Sequence, residues 1–177
     1  MRKPLLLLFV SLLLCTCSEV DEFNGIAIRQ YADVILNYSS QYASGNYSAN
    51  QILGKENVYP DYGDKIKAWA SDEPDNQREY LIIGFDTVQT VKIIEIFETY
   101  NPGAVDSVSL RNADTQKWNR IYSKPAVTTL PAESRIFSIY IDETTFLVDA
   151  IRISLNSPEV AGWNEIDAVA ITGQRKQ

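Results

Sequence analysis

The chain has 177 residues, a formal net charge of −7 and no histidine. This length suits one domain with a sizeable core, and an acidic balance without clustered lysine and arginine argues against nucleic acid as a partner. The absence of histidine removes the commonest general base and the commonest transition-metal ligand.

The first residues have the pattern of a targeting segment. Arg2 and Lys3 precede the apolar run Leu5–Leu14, which is too short to span a bilayer as a stable helix. The two cysteines of the chain, Cys15 and Cys17, follow directly. A disulfide framework is therefore excluded for the domain that comes after them.

The residues around Cys17 resemble a bacterial lipobox, which implies a lipoprotein signal peptide over residues 1–16 and lipid on Cys17. Cys15 is the poorer acceptor because bulky Leu14 precedes it, and an ordinary secretory signal with incidental cysteines is the alternative. Three acids follow Cys17 closely. They resemble the lipoprotein export signal of Bacteroidota-type Gram-negative bacteria, which implies the outer face of the outer membrane, although a solvated acidic linker would look the same.

The chain then passes from a tether into a domain. Residues 17–31 are polar with little periodicity, so they are predicted to form an acidic tether before a domain over residues 32–173. Ala32–Tyr38 carries an apolar run that predicts the first strand. Ala49–Leu53 is predicted to form a short helical turn that Gly54 terminates.

The next segment, residues 54–64, is too irregular for a strand and too broken for a long helix. It is dense in turn formers, aromatic residues and oxygen-bearing side chains. Such a segment needs support from aromatic packing, from a bound cation or from both. Asp61 and Asp64 could instead act as turn residues that bond their own backbone.

Seven more segments with strand-like apolar patterns follow at short spacing. They are residues 79–85, 90–99, 106–111, 117–122, 135–141, 149–155 and 164–171. With the first strand they predict an all-β domain, an eight-stranded antiparallel jelly-roll β-sandwich, and no second domain.

Four motifs carry a family resemblance: YSSQY at 38–42, YPDYGD at 59–64, ETYNPG at 98–103 and WNEIDAV at 163–169. In this order they resemble the galactose-binding-domain-like superfamily, which includes discoidin and coagulation factor V/VIII C-type domains. The nearest variant is the discoidin-like domain beside leucine-rich repeats in an F-box protein, together with its bacterial relatives. The resemblance implies a jelly roll whose loops at one end bind ligands, often with a structural calcium ion.

The resemblance also implies where calcium would lie. In carbohydrate-binding relatives the cation sits between the loop after the helical turn and a glutamate near the last strand, which Glu165 matches. Relatives usually have Asp-Gly where this chain has Leu-Gly at residues 53–54, so the other expected ligands become Glu56, Asn57 and Asp64. The alternative is that Glu165 pairs with a lysine or arginine.

Carbohydrate binding in this fold is expected to use exposed aromatic side chains beside polar groups. The candidates on the loops are Tyr42, Tyr47, Tyr62, Tyr100 and Asn101. Trp69 and Trp163 are predicted to pack in the core near strand ends, because large aromatic side chains dominate core burial. Trp118 lies on a polar strand and is less clearly a core residue.

The residue types predict a protein that is not an enzyme. A Ser–His or Cys–His arrangement is impossible without histidine, and the carboxylate pairs Glu95 with Glu98 and Asp142 with Glu143 are better explained as solvated strand edges. The sequence therefore predicts a cell-surface lipoprotein that binds carbohydrate, and the family resemblance implies that calcium stabilises it. The alternative is a protein-interaction, adhesion or structural accessory subunit of an outer-membrane complex.

Overall fold

The computed structural model describes residues 26–175, which form two packed antiparallel β-sheets. The strands are β1 (Ala27–Tyr31), β2 (Val34–Tyr38), β3 (Glu79–Gln89), β4 (Ile93–Tyr100), β5 (Val105–Asn112), β6 (Trp118–Ser123), β7 (Arg135–Tyr140), β8 (Val148–Leu155) and β9 (Glu165–Gln174). Two short 3-10 helices span Ala49–Ile52 and Ser157–Glu159. The predicted all-β sandwich and the helical turn after the first predicted strand are confirmed.

The two sheets have the strand orders β1-β9-β4-β7 and β2-β3-β8-β5-β6. Side chains alternate between the two faces of a strand, so each sheet turns an apolar face toward the other. In β8, Ile151 and Ile153 are fully buried in this core while Arg152 between them is exposed. No helix among residues 26–175 is long and apolar enough to cross a membrane.

The domain begins earlier than the sequence predicted. Residues 27–31, assigned above to the acidic tether, form the edge strand β1, which pairs with β9 and places Tyr31 opposite Ala170. An edge strand with a solvated face shows little apolar alternation, and here Arg29 takes part in an ion pair with Glu95 at 2.7 Å. The described domain therefore has nine strands rather than eight. The predicted signal peptide, Cys17 and the start of the tether lie outside the described residues.

Glu98 was predicted to lie on a solvated strand edge, and the structure contradicts this. Its side chain is only 2% exposed. One carboxylate oxygen accepts a hydrogen bond from Nε of Arg135 at 2.6 Å, and the other accepts the N–H of Gly103 at 2.9 Å. Burial raises the pKa of Glu98, and both partners oppose that shift by stabilising its charged form. Glu98 therefore anchors the turn after β4.

Trp69 joins the irregular segment to the start of β9. Its backbone N–H donates to the carbonyl of Ile166 at 2.8 Å, and the Ile166 N–H donates back at 3.1 Å. The indole is fully buried and its Nε1 donates to the carbonyl of Ser40 at 3.1 Å. The predicted core position of Trp69 is confirmed, and the segment before it is held at the end of the sandwich where β9 begins.

Candidate functional site

Strand β9 begins with two acidic residues that flank a core side chain. Ile166 is buried in the sandwich core, and Glu165 and Asp167 are each only 1% exposed. The register between β4 and β9 shifts here, so that Phe97 faces Ala168 while Glu98 faces Ile166. The irregularity directs both carboxylates away from the core, to the backbone of residues 54–65, which we call the covering segment.

Asp167 fastens the irregular segment. Its carboxylate accepts the N–H groups of three successive residues: Asn57 at 3.2 Å, Val58 at 3.0 Å and Tyr59 at 2.8 Å. Successive N–H groups that converge on one anion form a compact anion-binding backbone arrangement. The ring of Tyr59 then packs on Phe97 with centroids 5.5 Å apart.

Sequence reasoning missed the role of Asp167 and expected Glu165 to fasten this segment. The signal was present in the WNEIDAV motif, where a second acid stands inside a strand that is otherwise apolar. A buried aspartate in such a strand requires hydrogen-bond donors from elsewhere in the fold.

Within residues 26–175, only one of the two carboxyl oxygens of Glu165 has a hydrogen-bond partner. One oxygen accepts the backbone N–H of Lys65 at 3.1 Å, and the other is buried with no hydrogen-bond partner among the described residues. Burial, reinforced by the nearby Asp64 carboxylate, raises the pKa of Glu165 to about 8. The alternative of an ion pair is not what the structure shows, since the bond from Lys65 comes from its backbone.

A small cavity opens in front of Glu165, and we call it the end pocket. Its volume is about 80 Å³, and it is lined by Tyr42, Tyr47, Asp64, Ala70, Trp163 and Glu165. The Tyr47 hydroxyl donates a hydrogen bond to the Asp64 carboxylate, which raises the pKa of Tyr47 to about 12. Tyr42 packs edge-on against Tyr47 and Trp163 with centroids 5.3 and 5.8 Å away, and remains 52% exposed.

The candidate carbohydrate contacts fall into two groups. Tyr42 and Tyr47 line the end pocket, whereas Tyr62, Tyr100 and Asn101 are not part of its lining and contact one another. The Tyr62 hydroxyl donates to the Asn101 side-chain oxygen at 3.3 Å, and the Asn101 amide donates to the carbonyl of Trp163 at 3.0 Å. This second group therefore positions the backbone at the pocket wall.

Trp163 was predicted to pack in the core, and this prediction is wrong. The side chain is half-buried and lines the end pocket, with Nε1 donating to the carbonyl of Ser71 at 3.1 Å. The next residue, Asn164, is the buried one, and its amide donates to the carbonyls of Asn101 and Val160. A tryptophan just before a strand can face the core or the solvent, and the turn at residue 162 determines which side Trp163 faces.

The structure does not bring the four predicted calcium ligands together. Asp64 and Glu165 are neighbours, but Glu56 lies beside Tyr31, and Asn57 uses its backbone N–H on Asp167. Within residues 26–175 no three acidic side chains are grouped so as to hold a metal ion. Calcium takes six to eight oxygen ligands, whereas of the four predicted ligands only Asp64 and Glu165 lie together. These four side chains therefore do not form one calcium site in this structure.

The whole described domain falls within one known family. The family model described as "Pappalysin-1, SD scarf domain, C-terminal" matches residues 21–177. The chain belongs to the SD scarf domain family. Its match includes β1, in agreement with the earlier domain start that the structure shows.

A curated relative supports the resemblance to the F-box protein. F-box/LRR-repeat protein 4 of Bos taurus is 24% identical to this SD scarf domain chain over 179 aligned residues. The alignment covers 84% of this chain but only 29% of that protein. The likeness therefore concerns one region of the larger relative.

Solved structures share the fold of this SD scarf domain at low sequence identity. Chitosan-binding module 1 of a Paenibacillus sp. IK-5 chitosanase/glucanase has a TM-score of 0.56 at 14% identity, covering 85% of this chain and 96% of that one. The family 32 carbohydrate-binding module of Streptococcus pneumoniae EndoD has 0.57 at 10%, covering 81% and 95%. Reduced XRCC1, solved bound to the DNA pol beta catalytic domain, has 0.61 at 11%, covering 85% and 100%. These likenesses show a common jelly-roll sandwich.

Proposed function

We propose that the chain is a non-catalytic cell-surface lipoprotein whose domain binds carbohydrate in the end pocket. The observation that carries this proposal is the meeting of three aromatic rings and two carboxylates around one small cavity. Sugar hydroxyls donate to carboxylate oxygens, and the apolar face of a sugar ring packs on aromatic rings. The oxygen of Glu165 that has no hydrogen-bond partner among the described residues is a polar atom that the fold leaves unused at this cavity.

The size of the end pocket limits how a sugar binds there. Pockets that enclose a whole small ligand measure roughly 300–1,000 Å³, whereas the end pocket measures about 80 Å³. The pocket therefore takes one edge of a sugar, and the rest of the ring lies over the exposed face of Tyr42. Two of the fold relatives named above are carbohydrate-binding modules, which supports carbohydrate as the ligand class.

A glycan array probed with the purified chain and with two matched tyrosine variants tests this proposal. Tyr42→Ala should weaken binding about tenfold or more, since an exposed aromatic platform is lost. Tyr140→Ala is the control, because Tyr140 is 74% exposed and lies on β7 away from the end pocket. Absence of binding to any glycan, or equal losses in the two variants, would contradict the proposal.

The location at the cell surface depends on the N-terminal pattern alone. Lipid on Cys17 would hold the chain at the membrane, as the lipobox resemblance predicts. In a Gram-negative host, Cys17→Ala should move the protein from the membrane fraction to the soluble fraction, while Cys15→Ala should leave it in place. Retention of the Cys17→Ala protein in the membrane fraction would refute the lipid anchor.

One observation favours the second candidate function, protein interaction at an outer-membrane complex. Val34 and Leu36 are each 43% exposed on the edge strand β2, and both lie against Gly84 of β3. Exposed apolar pairs on an edge strand are sites where another chain can pair. Co-purification of the wild-type chain with a complex that the variant Val34→Thr/Leu36→Thr loses would favour this function over carbohydrate binding.

A further inference from the structure

The outer face of the five-stranded sheet carries a groove built from other elements than the end pocket. Its volume is about 540 Å³, and β3, β8, β5 and β6 form it. Alternation along each strand sends Leu81, Val108 and Ile153 into the core, so their neighbours in sequence face outward. We call this the sheet groove; its outward side chains include Tyr80, Ser109, Trp118, Arg120, Arg152 and Ser154.

Two arginines stand on either side of one serine in the sheet groove. Ser109 of β5 faces Arg120 of β6 on one side and Arg152 of β8 on the other. Neighbouring strands are about 4.8 Å apart, so the two arginine Cα atoms are separated by roughly 10 Å. Both side chains are exposed, and both guanidinium groups are therefore able to reach a ligand that lies over Ser109.

Neither guanidinium is neutralised by the protein. Arg120 and Arg152 form no hydrogen bond or ion pair with another described residue, and Arg152 lies over the Tyr80 ring at 4.6 Å from its centroid. An aromatic face holds a guanidinium in place without consuming its hydrogen-bond donors. Two free cations on one face stand out in a chain whose net charge is −7.

The other charged side chains at the sheet groove already have partners within the protein. Arg78 is paired with Asp106. Glu79 is only 2% exposed, and its two oxygens accept hydrogen bonds from the Ser39 hydroxyl and from Nε2 of Gln77. The cations that remain unpaired for an incoming ligand are therefore Arg120 and Arg152, and they outnumber the single negative charge of the buried Glu79.

We infer that the sheet groove binds an acidic oligosaccharide through its uronate carboxylates. Guanidinium groups bind carboxylates through paired hydrogen bonds of fixed geometry. The hydroxyls of Ser109 and Ser154 match the hydroxyl groups of sugars, and Trp118, 40% exposed, offers a flat apolar surface for a sugar ring. This site is separate from the end pocket and does not rest on the function proposed there.

A nucleic acid is the less favoured occupant of the sheet groove. Its affinity comes from neutralising many phosphates, and two free arginines neutralise few. The negative charge of the whole chain would also repel a long polyanion. A short oligosaccharide with spaced carboxylates needs only the two cations that the groove supplies.

Calorimetric titration of the chain with three probes of similar length tests the inference. The probes are hexagalacturonate, a neutral hexasaccharide of galactose and a six-nucleotide single-stranded DNA. Hexagalacturonate should bind about tenfold or more tightly than either other probe, because the neutral hexasaccharide lacks the carboxylates for two charge-assisted contacts and the DNA lacks the sugar hydroxyls that match Ser109 and Ser154. Equal binding of the neutral hexasaccharide, tighter binding of the DNA, or no binding of hexagalacturonate would overturn the inference.

Arginine variants then test whether the ligand binds in the sheet groove. Arg120→Gln and Arg152→Gln should each weaken hexagalacturonate binding about tenfold or more, and Arg152→Lys should fall between them and the wild type. Arg175→Gln is the matched control, since Arg175 is exposed just after β9. An unchanged thermal midpoint in each variant shows that folding is intact. Loss of binding in Tyr42→Ala but not in the arginine variants would move the ligand to the end pocket and refute the sheet groove.

Discussion

Glu165 and Asp167 are two residues apart on one strand, are equally buried, and have opposite surroundings. Asp167 receives N–H groups from three successive residues of the covering segment. Glu165 receives one N–H, from Lys65, keeps one oxygen without a partner and faces the Asp64 carboxylate. One carboxylate is a structural fastening, and the other is a polar group that the fold leaves open at a cavity.

This difference assigns one acid to the stability of the fold and the other to ligand binding at this end of the sandwich. A saturated buried carboxylate stabilises the fold because its loss leaves several N–H groups without partners. A buried carboxylate with an unused oxygen costs stability, and such groups concentrate at functional sites. The contrast predicts that the two acids respond oppositely to replacement.

The largest effect is expected at Asp167. Asp167→Ala should lower the free energy of unfolding by about 3 kcal/mol or more, because three N–H groups lose their acceptor and each unsatisfied buried group costs roughly 1–3 kcal/mol. Urea denaturation measures this change. Asp61→Ala is the control, since Asp61 is exposed in the same segment. Similar small effects in the two variants would remove the structural role of Asp167.

Glu165 should make the free energy of unfolding depend on pH. Its pKa is raised from 4.5 to about 8 in the folded protein. The folded state therefore holds a proton that the unfolded state releases between these pH values, so this group's stabilising contribution is fully present below the unfolded pKa and is lost as pH rises through 8.

Glu165→Gln should remove that pH dependence. Relative to the wild type, the variant should gain on the order of 1 kcal/mol or more in the free energy of unfolding between pH 5 and pH 8, since one pKa unit corresponds to about 1.4 kcal/mol. Urea titrations at several pH values measure it. Glu73→Gln, at an exposed acid of the polar turn before β3, should leave the wild-type slope unchanged. A variant that kept the full slope would refute the assignment to Glu165.

The β-sandwich could be predicted from the sequence because the apolar pattern that identifies each strand is local in the chain. Alternating apolar residues in β8 and the long apolar run of β4 identify buried strands without knowledge of their partners. β1 escaped detection because an edge strand keeps one row of polar side chains in solvent, so its short AIRQY segment looks like a tether.

The details of the site depend on contacts that local sequence does not reveal. Asn57 and Asp167 are 110 residues apart, and their pairing follows from how the covering segment lies on β9. Whether Trp163 enters the core or lines a pocket depends on a turn at Gly162, whose φ of 88° favours glycine. The sequence motifs identified the segments that meet at the site, whereas tertiary packing determines what each residue does there.

The smallest effect is expected at the rim of the end pocket. Tyr47→Phe removes the hydroxyl that donates to Asp64, and an ordinary hydrogen bond contributes about 0.5–1.5 kcal/mol to stability. Because Asp64 is exposed and water can replace the lost donor, the change in the free energy of unfolding should lie at the low end of that range. Urea denaturation should also show no loss for Tyr140→Phe, whose hydroxyl has no partner among the described residues.

The Tyr47 result bears directly on the contrast between the two acids. If Tyr47→Phe destabilised the fold as much as Asp167→Ala, the end pocket would be part of the structural support and its open carboxylate would need another explanation. If the loss is small while carbohydrate binding weakens, then the polar groups at this end divide as proposed. Asp167 would hold the covering segment, and Tyr47, Asp64 and Glu165 would form a surface that the sandwich can lose without unfolding.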